Sequence, residues 1–218
     1  KIKNPQNCPA CGTKLVKISN QSIYKCTNEH NCRPQIVQAI QHFASRKAMN
    51  ISGLGESIIE SLVDLKIINN FTDLYKLTVK RLQDVERLGE KSSQNLIDSI
   101  NNSKKISFDK LIYALGIKEV GISTAQSLAA NYKDLSLLMS ASKDELCLIN
   151  DIGDVVAENI YDYFKNPISK KLINKLIKNG LLIEYYKSTK DMKFVGDTYV
   201  ITGTFTNFSR QDIEKIML

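Results

Sequence analysis

Four cysteines in the first 33 residues have the chemistry and spacing to hold a metal ion: Cys8-x2-Cys11 and Cys26-x5-Cys32. Zinc takes four ligands in a tetrahedron, and two thiolates two residues apart on a turn supply one edge of it. Pro9 and Gly12 shape that turn, and the looser second pair needs only a short loop. Four thiolates around Zn²⁺ leave excess negative charge, which Lys14, Lys17, Lys25 and Arg33 lie close enough in sequence to soften. A closed four-thiolate shell has no position for water, so the expectation is one structural zinc rather than a catalytic one. Binding energy of roughly 10–16 kcal/mol for such a site can replace the apolar core that so short a segment cannot build. Two alternatives stay open: unconnected free thiols, or His30 as the fourth ligand in place of Cys32, since Cys26-x3-His30 is also workable. The fifth cysteine, Cys147, sits in Leu146-Cys147-Leu148-Ile149 and reads as a packed apolar thiol.

A second chemistry recurs four times. An apolar residue, a glycine, a pair with at least one polar member and an amphipathic helix follow one another around Gly53-Leu54-Gly55-Glu56-Ser57, Arg87-Leu88-Gly89-Glu90-Lys91, Glu119-Val120-Gly121-Ile122-Ser123 and Asp151-Ile152-Gly153-Asp154-Val155. The shared glycines fall at 55, 89, 121 and 153, spaced by 34, 32 and 32 residues. Only the first repeat also has Gly53; Arg87, Glu119 and Asp151 stand in its place. In such a turn glycine lets the chain reverse tightly and brings bare backbone close to a ligand. The unpaired N–H groups that open the next helix sit at its positive end and make a phosphate cradle blind to base identity. Candidate DNA-contacting residues are therefore Gly53, Gly55, Ser57, Gly89, Lys91, Ser92, Lys118, Gly121, Ser123, Thr124 and Gly153. Further cations in reach of a backbone are Lys80, Arg81, Lys104, Lys105 and Lys110. Asp151 and Asp154 put negative charge beside the fourth turn, which is expected to be the weakest grip or purely structural.

The elements that must carry these sites are mostly helical. Pro34 suits a first helical turn, and Ile36, Val37, Ile40 and Phe43 then share one face. A further helix is expected after Pro167, carrying Leu172, Ile173, Leu176 and Ile177 and stopping near Gly180. Period-two alternation is all but missing before Tyr199, so the middle reads as all-α. The fold class is mainly α: a small four-cysteine zinc module over 1–33, a four-repeat helix-hairpin-helix domain over 34–186, a polar linker over 187–193, and a truncated α/β tail over 194–218. That tail holds one strand-like run, Thr198–Thr202, then Gly203 and a helix beginning near Ser209.

The 218 residues carry 30 Lys+Arg against 23 Asp+Glu, a formal +7, which suits a polyanionic partner without requiring one. No apolar run is long enough to span a membrane, and no leader is evident, so the cysteines read as cytosolic thiols or metal ligands. The chain opens on Lys1 rather than Met, the mark expected of a piece of a longer protein.

With these features in hand the chain resembles the C-terminal half of bacterial NAD-dependent DNA ligases. The resemblance rests on Cys8-Pro9-x-Cys11-Gly12, His42-Phe43-x-Ser45-Arg46-x-Ala48-Met49, Gly53-Leu54-Gly55-Glu56, Tyr113-Ala114-Leu115-Gly116-Ile117-x-x-Val120-Gly121 and Ile152-Gly153-x-Val155-Val156-Ala157. The tail Tyr199-Val200-Ile201-Thr202-Gly203-Thr204-Phe205, with Ser209-Arg210, is similar to the opening of the family's BRCT domain. The resemblance implies a cytoplasmic bacterial protein, expected to be a monomer, whose zinc module and hairpins clamp nicked double-stranded DNA through the minor groove and both backbones. NAD⁺ and Mg²⁺ would enter only through catalytic domains outside these residues, since no Lys-x-Asp-Gly motif occurs here, and this segment alone is expected to be inactive. The rival readings are the hairpin region of another DNA-repair protein, such as an excision nuclease, and a protein-binding helical repeat.

Overall fold

The computed structural model describes residues 5–17, 23–86 and 88–185. Its first element is a two-stranded ladder in which β1 (Val16–Lys17) pairs antiparallel with β2 (Tyr24–Lys25), Val16 opposite Lys25. The last cysteine of the four, Cys32, is the N-cap of α1 (Arg33–Ala44), with Pro34 in the first turn as the sequence requires. Metal ligand and helix start are thus the same residue.

Four helix pairs follow. The first is α1 with α2 (Glu56–Asp64), and the second is α3 (Val79–Gln83) with α4 (Glu90–Asn102). The third joins α5 (Phe108–Ala114) to α6 (Ile122–Asn131). After a short α7 (Leu135–Ser140), the fourth joins α8 (Lys143–Cys147) to α9 (Asp154–Lys165). The last helix described is α10 (Pro167–Lys178), which stops before Gly180, whose φ of 90° only glycine adopts readily. Each helix is too short to stand alone in water, so its stability comes from its buried stripe. Ile40, Phe43, Ile59, Leu62, Leu82, Leu96, Leu111, Leu128, Ile160 and Phe164 are all at most 1% exposed and join one apolar core.

The expectation of an all-α middle needs correction. β3 (Lys105–Ser107) pairs in parallel with β4 (Leu182–Glu184), Ile106 opposite Ile183. Three residues are too few to display alternation, and the partners lie far apart in sequence, so no local pattern announces them. Ile106 is buried, while Lys105 and Glu184 close the outer side with an ion pair of 3.0 Å. The strand pair ties the end of α10 to the segment joining the second and third hairpins. The proposed linker, the strand-like run at 198–202 and the helix near Ser209 lie outside the described residues.

Candidate zinc centre and nucleic-acid interface

The first knuckle closes through the Gly12 amide donating to the Cys8 carbonyl at 2.8 Å, with Gly12 at φ 71°. The Cys32 amide donates to the Asn28 carbonyl at 2.9 Å, which folds the second pair inward. The Sγ atoms of Cys8, Cys11, Cys26 and Cys32 all lie within 4.8 Å of one another. Cys8 and Cys32 are 3.9 Å apart, Cys11 and Cys26 3.5 Å. A tetrahedron with Zn–S bonds of about 2.3 Å has edges of about 3.8 Å. The two short pairs are close to that edge, and the cluster fits zinc once the widest-set thiols, up to 4.8 Å apart, close in by a small side-chain movement. His30 is exposed and outside the cluster, which settles the fourth ligand as Cys32. The site holds a structural zinc: four thiolates fill it.

The thiols are unequal before metal enters. The Thr13 side chain and backbone pull Cys11 down to about 6. At Cys26 the Asn28 amide also pulls down, but burial and the neighbouring Cys11 and Cys8 outweigh it and push the thiol up to about 11. Two of the four nearby cations pair with carboxylates. Lys25 pairs with Glu29 at 3.3 Å, and Arg33 grips Asp64 and Glu60 at the far end of α2 through contacts of 2.8 and 3.4 Å. Arg33 therefore fastens the module's exit to the first hairpin. Cys147 is exposed, contrary to expectation, because the helical period turns Leu146 and Ile149 inward and leaves Cys147 and Leu148 outside.

The four hairpin turns share one backbone design. Each has two buried apolar residues three apart: Ile51 and Leu54, Val85 and Leu88, Ile117 and Val120, Ile149 and Ile152. In the last three, the second amide donates to the first carbonyl at 3.1 Å. The residue before the second apolar position is left-handed where described: Gly53 at φ 82°, Glu119 at 61° and Asp151 at 65°. The strained position is therefore the one Gly53 holds, and the shared glycine after it is conformationally ordinary. Gly55, Gly89, Gly121 and Gly153 have φ between −75° and −86° and are the N-caps of α2, α4, α6 and α9. A Cβ on any of them would meet nothing within 4 Å. Neither φ nor internal packing calls for glycine there, so these four are not the tight-turn glycines that the sequence suggested.

Capping sharpens the point. Side chains cap α3 (Thr78), α7 (Asp134), α8 (Ser142) and α10 (Asn166), whereas α1, α5 and the four helices that follow the shared glycines have no side-chain cap. Bare, open amides at a helix start suit an external anion. Ser57, Lys91, Ser92 and Ser123 lie exposed in the first turns, Thr124 is half-buried beside them, and Lys118 is exposed in the third loop. The Ser92 hydroxyl donates to the Gly89 carbonyl at 3.0 Å. Charge differs between repeats: α2, α4 and α9 open on Glu56, Glu90 and Asp154, whereas α6 opens on Ile122. Exposed Leu148 and Val155 flank the fourth turn, where other repeats offer polar groups.

Two positioning residues have no role that the sequence announces. His42 Nε2 lies 2.7 Å from the Tyr113 carbonyl, its ring 4.8 Å from that of Tyr113. Gly116, at φ 67°, leaves only 3.4 Å between a would-be Cβ and the His42 ring. The signal is present in the His42-Phe43 and Leu115-Gly116 stretches, but nothing in sequence says that they meet.

Three family models match parts of the chain. Residues 7–33 match the model of the NAD-dependent DNA ligase C4 zinc finger domain. Residues 45–102 match a SAM-like helix-hairpin-helix tandem, and residues 110–173 a helix-hairpin-helix motif. The chain is 41% identical over 214 residues to a DNA ligase of Saccharophagus degradans, covering 97% of this chain and 32% of the relative. It is 37% identical over 219 residues to one of Francisella philomiragia and 36% over 217 to one of Koribacter versatilis, covering 99% and 100% of this chain and 32% of each relative. The chain spans about a third of the length of the curated relatives it matches.

Proposed function

Because the chain is related across its whole length to DNA ligases and carries the C4 zinc finger of the NAD-dependent ones, we propose that it is the part of such a ligase that grips nicked duplex DNA. In this reading the helix-hairpin-helix domain over 34–186 holds backbone phosphates on the amides opening α2, α4 and α6, and most weakly on α9. The zinc module over 1–33 fixes the first hairpin through Cys32 and Arg33. NAD-dependent adenylation and nick sealing belong to other parts of the ligase, which works as a monomer in the bacterial cytoplasm. Among the described residues no helix is long and apolar enough to cross a membrane.

The observation that carries the reading is the set of four glycine N-caps that neither backbone nor packing requires. A phosphate drawn onto bare amides does require them, because a side chain there would occupy its place. The test is Gly55→Val or Gly121→Val with binding to nicked duplexes of unrelated sequence. Affinity is expected to fall equally for all sequences, since backbone contacts carry no base information. Unchanged affinity, or loss confined to one sequence, would contradict the cradle.

A further inference from the structure

Helix α10 belongs to none of the hairpins. It carries Lys170, Lys171, Lys175 and Lys178 and not one carboxylate in 12 residues. None of the four lysines makes an ion pair among the described residues. The helix dipole accounts for Lys175 and Lys178 in the last turn, where cations are favoured. It does not account for Lys170 and Lys171 near the start, where a first turn free of acidic residues also forgoes the usual stabilisation. Lys171, Lys175 and Lys178 follow the four-then-three spacing that lines up like charges along one side, an arrangement unfavourable to the helix itself. They span about 10 Å at 1.5 Å per residue. The buried Ile173 and Leu176 fix the opposite face against the core, so the rotation of the helix is set and Lys171 and Lys178 are held outward. Through Gly180 the helix passes into β4, which pairs alongside Lys105.

We propose that the lysine face of α10 is a second phosphate-binding surface for DNA, separate from the hairpin turns. It rests on the reading of the chain as a DNA-gripping module. Unlike the turns, it works by side-chain charge alone: flexible ammonium groups neutralise phosphates without fixing register, and so lengthen the stretch of duplex engaged. An anionic lipid surface is the competing partner, since the exposed Ile168 and Ile177 flank the lysines. DNA is favoured because the same chain presents the open amide cradles.

The test is the quadruple variant Lys170→Gln, Lys171→Gln, Lys175→Gln, Lys178→Gln in the full 218-residue chain, with the matching Lys→Arg variant as the charge-preserving control. Affinity for a long nicked duplex is measured across salt concentration. The log–log slope should fall in magnitude by about 0.9 for each phosphate no longer neutralised, roughly two to three units in all, and return in the Arg variant. A wild-type chain that binds DNA, paired with a Gln variant of unchanged slope, overturns the α10 proposal alone. A wild-type chain with no salt-dependent DNA affinity overturns the gripping function beneath it. Binding of wild type to phosphatidylglycerol vesicles, abolished in the Gln variant while the DNA slope stays put, assigns the face to lipid and also overturns it.

Discussion

His42, on the helix leading the first hairpin, hydrogen-bonds through Nε2 to the Tyr113 carbonyl near the end of the helix leading the third, at 2.7 Å. One side chain thus joins the two tandem hairpin pairs, and Gly116 is shaped around it. Gly116 and Gly121 lie five residues apart and are glycine for opposite reasons. Gly116→Ala forces a Cβ into a left-handed backbone 3.4 Å from the His42 ring and should cost about 1–2 kcal/mol. Gly121→Ala meets open space at ordinary φ, so its stability change should stay within about 1 kcal/mol. Its DNA affinity should fall while that of folded Gly116→Ala does not. Denaturant melts and binding isotherms of the two variants check the crossing.

Glu119 adopts φ 61° where the first hairpin has Gly53. Left-handed backbone costs a side chain roughly 1–2 kcal/mol, partly offset by the greater unfolded freedom of glycine. Glu119→Gly should therefore leave stability unchanged or raise it by up to about 1 kcal/mol. It should also tighten DNA binding by removing a carboxylate beside the third turn. Weaker binding in this variant would mean that Glu119 serves another partner.

Ser93 is fully buried on α4, and its hydroxyl has no hydrogen-bond partner among the described residues. Removing an unsatisfied buried hydroxyl recovers its desolvation penalty, about 1–3 kcal/mol at most. Ser93→Ala should thus melt at the same temperature as wild type or higher. A clear drop would reveal a partner for that hydroxyl.

What the sequence makes legible is whatever chemistry forces into fixed spacing. Four thiolates around one zinc must recur close together, so Cys8, Cys11, Cys26 and Cys32 stand out in the chain, and only the two alternatives, unconnected thiols and His30 in place of Cys32, need the fold. The hairpin register is equally plain. Hidden are features set by distance or by the turn of a short helix: the parallel pairing of Ile106 with Ile183, the contact of His42 with Tyr113, and the outward face of Cys147. The positive φ of Glu119 and Asp151 is hidden too, because sequence shows that Gly53 has been replaced but not that the backbone has stayed the same.

Cys147 is the one exposed thiol beside four that zinc engages. With zinc bound, a maleimide should label one cysteine per chain quickly, and after chelation all five. Fast labelling of more than one thiol in the zinc-loaded protein would argue against a closed site.

The most direct test of the central claim is the affinity of the zinc-loaded chain for two nicked duplexes of unrelated sequence, each measured across salt concentration. A sequence-blind backbone grip predicts equal affinities that fall steeply with salt, the log–log slope counting phosphates at about −0.9 each. A folded, zinc-loaded chain that does not bind at low salt, or that prefers one sequence, would contradict it.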